Sequence, residues 1–298
     1  MNAARPHEPA HRQRNMLWAM LLTGAFTVAE VAGGLLSGSL ALLADAGHMF
    51  TDTAALAIAW GAGHLSQRPP DQLRSYGYQR LQVLAALLNG VGVIAIVAWI
   101  LVEALHRLKQ PVQVLGGPML GVAIAGLLVN LVVLKLLHGG HQHDLNVRAA
   151  LLHVLGDLLG SVAAIAAAVI ILLSGWTPID PLLSVAVALL ILTSAVKVVR
   201  QALHILLEGT PEDFDRLALE HALVRSIPGV AGIHHVHVWS LSPQHALLTM
   251  HVDVDDLNDY TRTLQEIRRV LSEEFAIHHA TVQIEPGTCT DSHRPTGR

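Results

Sequence analysis

The stretch "LALLADAGHMFTDTAALAIAWGAGHL", residues 40 to 65, is long and apolar enough to cross a bilayer as a helix, which takes about 20 residues. Its first half nevertheless carries Asp45, His48 and Asp52. Ionisable groups at that depth are costly and mark ion or proton pathways. His48 and Asp52 stand one helical turn apart on one face, and Asp45, three residues before His48, shares it. A second run, "LLHVLGDLLG" at 151 to 160, repeats the spacing with His153 and Asp157. Two imidazoles and two carboxylates make a tetrahedral N2O2 set suited to Zn2+ without any thiolate.

Working outward, the rest of the chain fits a membrane setting. Apolar residues make up 52% of the 298 and charged residues only 14%, too greasy for a soluble domain of this size. The net charge of −4 gives no nucleic-acid footprint, so no nucleic-acid partner is expected. The one cysteine, Cys289, excludes a disulfide framework and thiolate zinc modules. Histidine stands out, with 19 copies against 19 lysines and arginines together.

Six spans are expected, near 16–36, 40–65, 81–105, 113–137, 147–173 and 179–206, in a transmembrane domain at 16–206 after an N-terminal tail at 1–15. The first contains Glu30 and lacks a small-residue cleavage site, so it reads as a retained helix and not a signal peptide. With the N-terminus inside, Arg5, Arg12, Arg14, Arg68, Arg74, Arg80, Lys135, Arg148, Lys197 and Arg200 lie on the inner side. Only Arg107 and Lys109 lie on the outer side, so both termini are expected in the cytoplasm. At 1.5 Å per residue, Asp52 falls roughly 18 Å from the outer start of its span and Asp157 roughly 15 Å from the inner start of its own. In a core about 30 Å thick both sit near the midplane.

After Glu208 the pattern changes to a small α+β domain at 207–287, followed by a tail at 288–298. A helix at 211–226 is expected with Thr210 as N-cap and Asp213 in a capping box. Two strands follow, "GIHHVHVWSL" and "HALLTMHVDV", then a helix at 259–275 and a last strand "HATVQIE". Simple alternation along the first strand sets His234 on one face with Val236 and Val238, and His235, His237 and Trp239 on the other.

The segments "SLALLADAGHMFTD", "YGYQRLQVLAALLN", the second HxxxD, "LLEGTPED" and "HVHVWSL" resemble the cation diffusion facilitator family, in its bacterial zinc-exporter branch, along residues 16 to 286. The resemblance implies a six-helix membrane domain with a cytoplasmic ferredoxin-like (αββαβ) domain. It also implies a homodimer in the inner membrane, surrounded by lipid, that exports Zn2+, with Cd2+ and Co2+ as further substrates, in exchange for H+. Carried over, the transport ligands are His48, Asp52, His153 and Asp157. Regulatory Zn2+ ligands in the cytoplasmic domain match His234, His251, His278 and Glu285; no other cofactor is implied. Where other members carry a further histidine in the last strand this chain has Gln283, which leaves room for one metal there and not two. A loop site that some members build from an aspartate and two histidines is expected to be missing, because Arg74 and Tyr78 accompany Asp71. Arg74 and Arg80 are instead expected at anionic lipid head groups.

Weaker signals are the tract His138, His141, His143 and Asp144 between spans four and five, His7 and His11, and the polar residues Glu30, Asn89, Asn130 and Asp180 within or beside spans. Gly33, Gly34, Gly90 and Gly92 suit close helix approach or serve as packing glycines. An intramembrane zinc hydrolase is the competing reading. It is disfavoured because catalytic zinc keeps an open position and the chain has no HExxH, GxSxG or separate general base. A metal sensor would need an effector module that is not seen. The chain is expected to be a transporter and not an enzyme.

Overall fold

The computed structural model describes residues 8–66, 68–137, 145–243, 245–256 and 259–287; side chains at 8–20, 52, 54–60, 62–64, 66, 136–137 and 145–156 lie outside that description. The tract with His138, His141 and His143 therefore falls outside it, as do His7 and the side chain of His11. The chain divides into two compact units. The first comprises Met1–Ala59 with Leu88–Val199, and the second Trp60–Leu87 with Arg200–Arg298.

Six long helices appear in order: α1 (Glu8–Ser37), α2 (Leu40–Ser66), α3 (Arg80–Lys109), α4 (Gly116–Leu137), α5 (Leu145–Ser174) and α6 (Ile179–Leu206). Among the described residues four segments are long and apolar enough to span a membrane: α3, α6, Gly116–Lys135 of α4 and Asp157–Ser174 of α5. A shorter apolar segment, Leu21–Ser37, closes α1.

The first unit is organised around α2. One side of its start, Leu40 and Ala44, packs on Val93, Val97, Ile100 and Ala104 of α3 and Ala188, Ile191 and Ala195 of α6. The other side, Ala41 and Leu42, packs on Met119 and Ala123 of α4 and Ala164, Ala167, Ala168 and Ile171 of α5. Alanine dominates these contacts because small side chains let helix backbones approach where lipid supplies no hydrophobic drive. At Gly90 a Cβ would come 2.7 Å from Val199 Cγ2, and at Gly33 it would collide with Val122, whereas Gly92 faces open space. The first two are packing glycines. Large apolar side chains such as Leu88, Trp99, Val102, Leu128, Leu172, Leu173 and Leu190 are exposed, as a lipid-facing surface requires.

In the second unit, α7 (Arg216–Ser226) and α8 (Tyr260–Phe275) cover a three-stranded mixed sheet. Strand β1 (Val230–Ser242) pairs antiparallel with β2 (His245–Val254), which pairs parallel with β3 (His279–Glu285), in the order β1-β2-β3. Leu248, Met250 and Val252 of β2 pack with Leu219, Leu223, Ile267, Val270 and Leu271 in the core.

Two local expectations are corrected. Helix α7 starts five residues later than expected, because its N-cap is Asp215, whose carboxylate accepts from Leu217 N at 2.8 Å and Ala218 N at 3.3 Å. One short carboxylate satisfying two orphan N–H groups outcompetes the Thr210 start. Residues 211–214 instead form a turn closed by Phe214 N to Pro211 O, with the Phe214 ring 6.4 Å from that of Phe275.

The second correction concerns β1. Its register slips between His234, paired with His251, and His237, paired with Thr249, so β1 carries one extra residue there. His235 takes a left-handed φ of 49° in this bulge. Ile233 before it and Val236 and Val238 after it all pack into the core. His234 therefore lies opposite Val236 and Val238, not on their face. Alternation fails because a bulge shifts the phase of every later side chain.

Candidate metal centres

Helix α2 carries Asp45, His48 and Asp52, and α5 carries His153 and Asp157. The side chains of Asp52 and His153 lie outside the described residues; those of Asp45 and His48 are half-buried and Asp157 is buried at 7% exposure. The two helices meet beside these residues. A Cβ placed on Gly160, one turn beyond Asp157 on α5, would stand 3.6 Å from Asp45 Oδ1. At the next residue, the buried Ser161 hydroxyl meets Asn130 Nδ2 of α4 at 3.2 Å, which ties α4 to α5 at the same level. Glu30 of α1 is only 2% exposed. The described contact between α2 and α5 is thus that of Asp45 with Gly160, three residues beyond Asp157.

The start of α2 is held by a residue whose role the sequence did not reveal. Asp180, in the first turn of α6 and fully buried, accepts from Leu40 N at 2.7 Å, from Ala41 N at 3.2 Å and from the Ser39 hydroxyl. Ser39 Oγ in turn accepts from Leu42 N at 3.2 Å. The orphan amides at the N-terminus of α2 are therefore met by a carboxylate, which also complements the helix dipole. The turn before it is pinned too: Leu115 N donates to Ser37 O at 2.8 Å, and the Arg107 guanidinium to Gly38 O. An aspartate opening a span is an ordinary first-turn signal, and nothing in the sequence pairs it with a helix some 140 residues earlier.

The second centre lies on the sheet face opposite the helices. His234, His251 and Glu285 offer ligand atoms all within 4.8 Å of one another. His234 Nε2 is 3.3 Å from Glu285 Oε2, and His251 Nδ1 is 3.2 Å from Glu285 Oε1. A tetrahedral zinc with Zn–N bonds of about 2.0–2.1 Å has donor-to-donor edges of about 3.3–3.4 Å, close to both of these separations. Asp253 Oδ2 stands 3.4 Å from His234 Nδ1, the position from which a carboxylate orients a ligating imidazole. The sheet registers explain the convergence, since His234 pairs with His251 and Asp253 pairs with Glu285. His278 is not part of the group: it is exposed, and its Nδ1 lies 2.9 Å from Ser272 Oγ. Gln283 donates to Glu285 Oε1 instead of supplying an imidazole. The His235 ring, unexpectedly, lies 5.2 Å from that of His234 and 4.9 Å from that of His251. The signal for it was present in "IHHVHV", where the extra histidine breaks the alternation of apolar residues.

The family described as the cation efflux transmembrane domain matches residues 16–207, and the cytoplasmic domain of cation efflux proteins matches 213–287. The chain belongs to the cation efflux family. Among relatives of this cation efflux protein, the zinc transporter ZitB of Pectobacterium atrosepticum is 49% identical over 288 residues, covering 96% of this chain and 90% of that one. The metal cation efflux system protein CzcD of Cupriavidus metallidurans is 40% identical over 291 residues, covering 97% and 92%. A Bacillus subtilis relative, named a cadmium, cobalt and zinc/H(+)-K(+) antiporter, is 37% identical over 295 residues, covering 96% and 92%.

The loop between α2 and α3 of this cation efflux protein holds an organic triad where a metal site was expected to be missing. Asp71 Oδ2 accepts from the Tyr78 hydroxyl at 2.7 Å, and Arg74 Nη1 donates to Tyr78 at 3.2 Å with its guanidinium 4.7 Å over the ring. Asp71 Oδ1 also accepts from Leu73 N and Arg74 N. These bonds, the Tyr78 hydroxyl first and the Leu73 amide next, hold the Asp71 carboxyl below the usual aspartate value. Arg80 has a protein partner as well, Glu208 Oε1 at 3.2 Å.

Proposed function

We propose that this protein is a homodimeric antiporter that exports Zn2+, with Cd2+ and Co2+ as further substrates, across the inner membrane in exchange for protons. The transport site is His48, Asp52, His153 and Asp157. The observation that supports the reading is the close approach of Asp45 on α2 to Gly160 on α5, three residues from Asp157. Membership of a cation efflux family supports transport over catalysis, and gives the hydrolase reading no support. The cytoplasmic family domain supports the dimer, and the excess of Lys and Arg on one side supports cytoplasmic termini. Residues 16–206 form the transport domain and 207–287 the cytoplasmic domain, between tails at 1–15 and 288–298.

The chemistry of exchange follows from the ligand types. A neutral imidazole binds Zn2+ and an imidazolium cannot, while a carboxylate loses its affinity when protonated. Protons arriving from outside therefore expel the metal, and metal arriving from the cytosol expels protons. The alternation is a rocking of helices about α2, whose start is anchored by Asp180 and whose two sides pack on different helix pairs. In the cytoplasmic domain His234, His251 and Glu285 would hold a regulatory divalent ion.

The test is zinc accumulation in proteoliposomes with an imposed pH gradient, comparing the native chain with Asp157→Ala. Uptake against the zinc gradient that needs the proton gradient, and is lost in a folded Asp157→Ala, is expected. Normal transport by that variant would mean that the site is not the pathway.

A further inference from the structure

We propose that His235 is a fourth ligand of the cytoplasmic centre, so that a single protomer offers a divalent cation three imidazoles and Glu285. The proposal rests on reading the His234, His251 and Glu285 group as a metal site. Three donors leave one tetrahedral position to fill. His278, the residue expected there by resemblance, is exposed and turned to Ser272 Oγ in its own chain. His235 stands closer to the site.

The backbone around His235 is shaped to put it there. In an unbroken strand it would point away from His234, into the helix-covered face. The extra residue between the His234 and His237 pairs frees it from that alternation, and its φ of 49° belongs to the region that glycine adopts readily and other residues avoid. A glycine at this bulge would remove the strain, so a histidine held in that conformation points to a use for its side chain. The ring packs edge-on to His234, with an interplanar angle of 77°, and tilted to His251 at 44°. The His234 and His251 rings are themselves 5.2 Å apart, so the three imidazoles form a triangle of nearly equal sides. Glu285, 3% exposed, bridges two of them. A fourth bond needs the His235 ring to turn toward the group formed by His234, His251 and Glu285.

The experiment uses the full chain in detergent with His48→Ala and Asp157→Ala, which removes the transport site. Co2+ and Zn2+ are bound in competition with a chelator strong enough to mask weaker histidine tracts, and the number of imidazoles on the metal is read by X-ray absorption. Three imidazoles are expected in this background and two in His235→Ala. Affinity should fall at least about 100-fold, the upper end of what even loss of a ligand's hydrogen-bond partner costs. His235→Gly, which suits the left-handed backbone, should show the same metal loss while its metal-free melting temperature stays level or rises, separating ligation from folding. His278→Ala should change neither readout. Unchanged affinity and imidazole count in both His235 variants, or transfer of the loss to His278→Ala, would overturn the proposal. Undiminished binding in His251→Ala would instead overturn the metal reading of the whole cluster.

Discussion

Replacing Asp180 tests whether α2 is held in place from α6. The carboxylate is fully buried and receives two backbone amides and one hydroxyl. In Asp180→Ala, Leu40 N and Ala41 N lose their acceptor in a place that water does not reach. Each buried donor left unmade costs about 1–3 kcal/mol, so the pair costs about 2–6 kcal/mol; the Ser39 hydroxyl can rotate to another acceptor and adds little. In Asp180→Asn one oxygen remains and the amide group faces a donor, so about 1–3 kcal/mol is lost. The order of stability is therefore native, Asn, Ala. Denaturant unfolding of the solubilised chain, followed by tryptophan fluorescence, measures it, and zinc transport should fall in the same order because the same turn fixes the height of His48. An Asp180→Ala chain within about 0.5 kcal/mol of native, the range of an inert surface change, would refute the clamp.

Other consequences can be measured in the same preparations. Gly160→Ala should transport normally, since its Cβ meets Asp45 at an ordinary 3.6 Å, while Gly160→Leu should separate α5 from α2 and abolish transport in a chain that still inserts and folds. Tyr78→Phe removes the largest cause of the lowered Asp71 pKa and should raise it, as followed by carboxyl NMR. The sign is fixed: a depressed folded pKa stabilises the loop above the unfolded value and that contribution fades as pH falls through the folded one, so the variant should lose loop order at a higher pH than native. Zn2+ at about 100 times its dissociation constant should stabilise the cytoplasmic domain by about 2.7 kcal/mol, and Glu285→Gln should remove most of that gain.

Much of this protein could be read from local pattern. Long apolar runs disclosed six helices because a helix in lipid satisfies its own backbone and needs no partner to be recognised. The i, i+4 spacing put His48 with Asp52, and His153 with Asp157, on one face of their helices for the same reason: helical periodicity is a property of the segment alone. Strand β3 was legible as "HATVQIE", and the buried face of α8 as Ile267, Val270 and Leu271.

What depends on a distant partner was decided only by the tertiary structure. Asp180 meets α2 because α6 packs there, and no spacing rule connects positions so far apart in the chain. The N-cap of α7 lies at Asp215 and not Thr210, next to the Phe214 ring that stands 6.4 Å from that of Phe275. The bulge at His235 exists because β1 must keep Ile233, Val236 and Val238 on the helix-covered face while staying paired with β2, a demand that two-residue alternation cannot meet. The sequence by itself determined which segments would be helices and strands and which carried ligand chemistry. The tertiary structure decided which ligands meet, because a side chain's direction follows from its own backbone but its neighbours are set by how separate elements pack.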